Sequence, residues 1–278
     1  MHTCMHLITE GTMSQIITFG NFKGGVGKTT NAVQVAYELS KRGLSTLLMD
    51  LDPQANATNI LLKTKANISD ELAHFDSSLM ISIEHEDLTT SIVNIKDNLD
   101  LMGSAPDFAL FPRYMEKKFK DNYNDRVKYL DKLIQPVADK YDYVIIDIPP
   151  TISLITDAAL YASDWCIVVM QTQQQSFDGA AAFIEYIQDD IVNTYKAPRL
   201  DVIGILAVLI QAGAPVDETT MANAIDYFGK ENILPTAIHS MQRLKRYGIT
   251  GITTTQKYDR NVFEVYKKVT DDILERIK

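Results

Sequence analysis

Two lysines five positions apart, Lys23 and Lys28, bracket three glycines in the run Lys23-Gly24-Gly25-Val26-Gly27-Lys28-Thr29-Thr30. Glycines without Cβ let backbone N–H groups turn inward around an anion, and a helix starting behind them adds partial positive charge. The run can therefore cradle nucleotide phosphates. Gly24, Gly25, Val26, Gly27 and Thr30 would form the wall, Lys28 would lie against the terminal phosphates, and the Thr29 hydroxyl would complete an oxygen shell around magnesium. The common phosphate-loop pattern asks for glycine five places before Gly27; Phe22 stands there, so that pattern fails and Lys23 is surplus to it.

Such a loop needs a strand before it and a helix after it. Ile16-Ile17-Thr18-Phe19 reads as a buried strand, and 31–42, with Ala32, Val35, Ala36 and Leu39 along one side, as an amphipathic helix. Residues 46–52 read as a second buried strand ending in Asp50 and Asp52, at i and i+2 and so on one face while the strand lasts, before Pro53 stops the ladder. Residues 143–147 read as a third, closing on Asp147. One strand–helix–strand unit returns the chain to the same sheet edge, which brings Asp52 back to the phosphates. Three strand-end aspartates beside a phosphate loop favour holding a metal over simple turn formation. Phosphoryl transfer relies on positioning and electrostatics, so covalent catalysis is disfavoured.

The residues from Lys23 to Thr30 resemble the deviant Walker A motif of the ParA/MinD class of P-loop ATPases. In that class the early lysine, here Lys23, reaches across a two-fold interface to the nucleotide on the other subunit. Asp50-Leu51-Asp52-Pro53-Gln54-Ala55-Asn56 is similar to the class's second ATPase motif, with Ala55 where glycine is usual. The resemblance implies ATP as ligand, Lys23, Lys28 and Asp52 as the catalytic set with Asp52 positioning the attacking water, and Thr29, Asp52 and Asp147 around Mg2+. It leaves Asp50 to support the loop or the metal's surroundings. Pro149-Pro150 and the residues to Leu160 resemble the switch that senses the terminal phosphate, though Asp157 stands where many relatives have asparagine. Pro235 is expected beside the base.

At 278 residues and 46% hydrophobic content the chain can bury a sizeable core. Strand patterns at 164–170, 202–208 and 232–236 and helix patterns at 176–194 and 217–228 continue the alternation. They predict an α/β fold, a doubly wound and mostly parallel sheet in a single domain over 14–278. Between 59 and 140 the pattern is less regular, with short strands at 92–95 and 99–102 and helices at 107–120 and 125–138. Residues 1–13 read as a leader, with Met13 a natural start. Cys4 and Cys166 make no metal spacing.

A net charge of −9 argues against a uniformly DNA-coating surface, yet 239–268 gathers Arg243, Lys245, Arg246, Lys257, Arg260, Lys267 and Lys268 against only Asp259 and Glu264. This stretch is the expected DNA face. Arg113, Lys117, Lys118 and Lys120 form a second cluster, read as a solvated helix surface. The apolar residues of 261–278 have helical spacing, which suits a membrane-surface helix of the MinD kind or a terminal helix packed on the domain; Asp271, Asp272 and Glu275 oppose anionic lipid. Gly248 to Gly251 and Lys257 to Val262 resemble the C-terminal region of δ-type plasmid ParA proteins of Gram-positive bacteria. That likeness implies a cytoplasmic, nucleoid-associated partition ATPase, dimeric on ATP and bound to nonspecific double-stranded DNA. Its expected partner is a ParB-like or ribbon-helix-helix centromere-binding protein, and a winged-helix domain ahead of the ATPase is not expected. A metabolic P-loop enzyme is the remaining alternative.

Overall fold

The computed structural model describes residues 14–69, 73–211 and 213–278; the proposed leader at 1–13 lies outside them. The strands are β1 (Gln15–Gly20), β2 (Thr46–Asp50), β3 (Ile92–Lys96), β4 (Leu99–Met102), β5 (Tyr143–Asp147), β6 (Trp165–Gln171), β7 (Asp201–Ile210) and β8 (Ile238–His239). They form one sheet in the order β3-β4-β2-β5-β1-β6-β7-β8, parallel except for β3 against β4. The expected doubly wound sheet is thus present.

Strands buried on both faces need apolar side chains at successive positions, and alternate residues supply the two cores. Ile16, Leu47 and Val144 point to one face. Helices α4 (Phe111–Phe119), α5 (Tyr123–Ala138), α6 (Leu154–Ala162), α7 (Gln174–Tyr186) and α8 (Pro215–Phe228) cover it. Their neighbours Ile17, Leu48 and Ile145 point to the other. There α1 (Lys28–Lys41), α2 (Asn56–Ile68), α9 (Gln242–Thr250) and α10 (Lys257–Arg276) pack, while the short α3 (Leu79–Glu84) sits with the first group. Val262, Tyr266, Val269 and Ile273 of α10 are buried, and Phe263 stacks on Tyr37 of α1 with ring centroids 5.9 Å apart. The apolar stripe of the terminal helix is therefore taken up by the domain.

Several boundaries differ from the sequence reading. The helix expected at 176–194 is α-helical only to Tyr186 and continues as a π-helical segment, Ile187–Thr194. The strand expected at 232–236 is reduced to a single bridge between Ile233 and Ile205, and the true edge strand is the two-residue β8. At the opposite edge, β3 carries a register shift between Asn94 and Lys96, and the Lys65 ammonium of α2 donates to the Asn94 carbonyl at 2.9 Å.

Candidate functional site

In register, Phe19 of β1 and Asp50 of β2 both lie beside Asp147 of β5, so the carboxyl ends of three central strands converge where the phosphate loop begins. Loop residues Gly25 (φ 77°) and Gly27 (φ 95°) occupy the left-handed region, which a Cβ would strain. Gly27 is the N-cap of α1 and no side chain caps that helix end, so its first N–H groups are available to an anion. Lys28 is buried, and its ammonium donates to the carbonyls of Asn21 (3.1 Å) and Lys23 (3.4 Å). Burial lowers its pKa, while Asp147 and Asp52 pull in the opposite direction.

The three aspartates have separate tasks. Asp50 and Asp52 do not share a strand face, because β2 ends at Asp50. Asp50 Oδ2 accepts from the backbone N–H and the hydroxyl of Thr58, both at 2.8 Å, and Oδ1 accepts from the Asp52 N–H at 3.1 Å. The N-cap position of α2 is Ala55, which has no capping side chain; Asp50 replaces it from the neighbouring strand. In turn Thr58 Oγ1 accepts from the Ser104 N–H at 2.9 Å. Asp50 thereby holds the turn that presents Asp52, and Asp52 itself accepts from the Gln54 N–H at 2.9 Å.

Asp147 is fully buried and neither of its oxygens accepts a hydrogen bond of proper geometry. Burial and the adjacent Asp50 raise its pKa well above the ordinary carboxylate range; the nearby Thr29 hydroxyl acts against that rise. A buried carboxylate without a donor calls for a cation. With Thr29 and Asp52 it supplies the hard oxygen donors that magnesium prefers, so these residues fit the ion. Lys28, Thr29, Asp52, Gln54, Pro150 and Thr151 line a common hollow of about 640 Å³, within the range of ligand pockets.

Across the loop, a second hollow of about 190 Å³ shares Gly25, Gly27 and Thr30 and adds apolar walls from Val208, Leu209, Ile238, Met241 and Leu244, with Lys245 among its lining. Leu209 has φ 59°, a strained conformation for a branched residue, next to a register shift in β7. Asn31 links this wall to α10 by accepting from the Tyr266 hydroxyl at 2.9 Å. Pro235 lines a different cavity with Met221, Ile225 and Arg276. Pro235, expected beside the base, precedes the wall of the second hollow: Leu234 donates to Ile205 in mid-sheet, and the chain reaches the level of the loop at Ile238, opposite Val208.

The expected DNA face also changes. Arg243 is 7% exposed and its Nε donates to Asp259 Oδ1 at 2.5 Å. Its charge is neutralised inside the protein, which removes it from the outward cations. Burial works to raise the Asp259 pKa, but Arg243, the Gln256 N–H and the Tyr247 and Thr253 hydroxyls bring it below the usual value. Lys245, Arg246, Lys257, Arg260, Lys267 and Lys268 remain exposed on α9 and α10. In the second cluster, Lys118 pairs with Glu86 at 2.9 Å, the ordinary surface role expected of it. Asp157, left without a contact in the sequence reading, accepts hydroxyls from Tyr123 (2.6 Å) and Tyr186. Cys166 is a buried free thiol whose pKa burial raises.

The chain matches the AAA_31 family, described as an AAA domain, over residues 14–202. It is similar to the chromosome partitioning protein ParA of Myxococcus xanthus, at 29% identity over 82% of this chain and 80% of that protein. Similarity to the sporulation initiation inhibitor protein Soj of Bacillus subtilis is also 29%, over 84% and 87%. A Cyanothece McdA variant solved in complex with ATP superposes with a TM-score of 0.79 at 18% identity, over 94% of this chain and 97% of that one, a likeness of fold. The chain therefore belongs to the AAA_31 domain family and, within it, to the ParA/MinD class of P-loop ATPases.

Proposed function

We propose that the protein is a Mg2+-dependent ATPase that positions DNA cargo, in the manner of the partition proteins it is similar to. The observation that carries this reading is the buried Asp147 carboxylate, without a well-formed hydrogen bond, close to Lys28, Thr29 and Asp52, which themselves line one hollow. Phosphate oxygens take the N–H groups of Gly25 to Thr30 and the Lys28 ammonium; the base takes the apolar hollow walled by Leu209, Ile238 and Met241. Magnesium held by Thr29, Asp147 and Asp52 supplies positive charge against the terminal phosphates. Asp52 orients the attacking water, and Lys23 reaches the nucleotide of a second copy, so that ATP favours a homodimer.

In that dimer each basic face is doubled, which strengthens individually weak phosphate contacts with double-stranded DNA. Lys245, Arg246, Lys257, Arg260, Lys267 and Lys268 form this face, without Arg243. Hydrolysis, stimulated by a small centromere-binding protein, resets the dimer, and the protein works in the cytoplasm on the nucleoid. The membrane alternative lacks support, because α10 buries its apolar stripe and among the described residues no helix is long and apolar enough to cross a membrane.

The test is binding to nonspecific DNA and, in parallel, to anionic liposomes, with no nucleotide, ADP, ATP and a slowly hydrolysed analogue. DNA binding confined to the ATP states is expected. Liposome binding instead would move the protein to the membrane-positioning group. Within the reading, Lys23→Ala retains nucleotide affinity and loses ATP-dependent dimerisation, and Asp52→Ala stays dimeric on ATP without turnover.

A further inference from the structure

The residues between β1 and the glycines, Asn21 to Lys23, lie along a single stripe of α7. Asn21 is 1% exposed and uses its whole amide. Its Nδ2 donates to the carbonyls of Val169 in β6 (2.9 Å) and Ser176 in α7 (3.2 Å), and its Oδ1 accepts the Lys23 backbone N–H at 2.7 Å. The Phe22 ring then meets Phe183 and Tyr186 edge-on at 5.0 and 5.3 Å between centroids. Beneath Lys23 stands Gly179. A Cβ there would lie 2.7 Å from Asn21 Oδ1 and 3.4 Å from both Lys23 Cβ and the Lys23 nitrogen.

Ser176, Gly179, Phe183 and Tyr186 recur at i, i+3, i+7 and i+10, the spacing of one helix face. Glycine inside a helix is disfavoured relative to alanine, so its presence in the middle of α7 needs a reason; the close approach of Asn21 and Lys23 provides it. Asn21 Oδ1 cannot yield to an added methyl, because the same amide is held by bonds to two other elements.

We propose that α7 is the seat of Lys23, with Asn21 and Gly179 as its positioning residues. Lys23 is then placed by the packing of α7 on β6 as well as by its own loop. The effect assigned to this seat on dimerisation rests on the proposed function, whereas the seat itself does not.

The test uses the full chain and two variants that perturb the contact from opposite sides: Asn21→Ala removes the acceptor, and Gly179→Ala pushes against it. Asn21→Asp, isosteric but without the Nδ2 donors, provides a third. Residue-resolved amide exchange on the nucleotide-free protein reads the seat directly. Each of the first two variants is expected to speed exchange at Lys23 by about tenfold or more, the equivalent of one lost hydrogen bond, with Leu48 and Ile145 unchanged. ATP-dependent dimerisation is expected to weaken about tenfold in both, with nucleotide affinity of the single subunit held within about threefold in Gly179→Ala.

Unchanged exchange at Lys23 in both variants would overturn the seat. So would faster exchange that spreads to Leu48 and Ile145, since that is how a merely structural lesion behaves. Faster exchange at Lys23 together with normal dimerisation of Lys23→Ala would uphold the seat and sink the cross-interface role of the lysine.

Discussion

Asp147 and Asp259 are both buried aspartates that differ in polar satisfaction: one accepts no well-formed hydrogen bond and has only the nearby Thr29 hydroxyl and Lys28 ammonium, the other has four partners. Burial and the adjacent Asp50 make the charge of the first costly, and Thr29 and Lys28 offset that cost only in part. Asp147→Asn is therefore expected to raise stability without nucleotide by about 1–2 kcal/mol while abolishing Mg2+-dependent ATP binding. Paired thermal melts with and without MgATP check both halves. Arg243→Ala does the reverse by stranding Asp259. The expected loss is about 2–3 kcal/mol in urea unfolding, the lower end for a broken buried pair because the hydroxyl and amide donors remain. Because the Asp259 pKa is depressed in the fold, its stabilisation is present above the unfolded value of 3.8 and is lost as pH falls through the lower folded value. Native protein is thus expected to lose stability on acidification below about pH 4 more steeply than Arg243→Ala, as urea midpoints measured across that range would reveal.

Among the elements, α2 depends on a capping group from outside the helix. Its N-terminus is held by Asp50 through Thr58, and the turn carrying Asp52 hangs between those two points. Thr58→Val keeps the backbone bond and loses the hydroxyl, so it is expected to cost about 1–2 kcal/mol and to lower ATP turnover, while nucleotide affinity changes little. Urea unfolding and steady-state hydrolysis on the same samples separate the effects. This capping also marks the limit of sequence reading. Residues Lys23 to Thr30, Asp52 and Asp147 were legible because a glycine turn and strand-end carboxylates are local patterns with a chemical meaning. Asn21, Thr58 and Gly179 were not, since their roles arise from partners 8 to 158 positions away. Pro235 shows the same limit: a proline after two apolar residues has the local look of a loop at the sheet edge, but only the register with β7 fixes its height. The central strands were found to within a residue or two by their apolar runs, whereas the break from α to π geometry after Tyr186 leaves no periodicity to read.

For the molecule as a whole, six exposed cations on α9 and α10 set an electrostatic expectation. Arg246→Glu with Lys257→Glu removes two cations per subunit and four per dimer. If each meets a phosphate, the slope of log affinity for DNA against log salt is expected to fall by about 3–4, with ATP affinity unchanged. Arg243 lies outside this set, so its loss acts on stability alone. The two margins of the sheet carry another consequence. β8 is only two residues long, and β3 is bulged, with the Asn94 carbonyl engaged by Lys65. A sheet ending in one stub and one kinked, lysine-guarded strand gives a neighbouring molecule no straight ladder to extend. Among the described residues neither margin favours growth into filaments by strand addition, and a polymer of this protein is expected to use helix and loop surfaces.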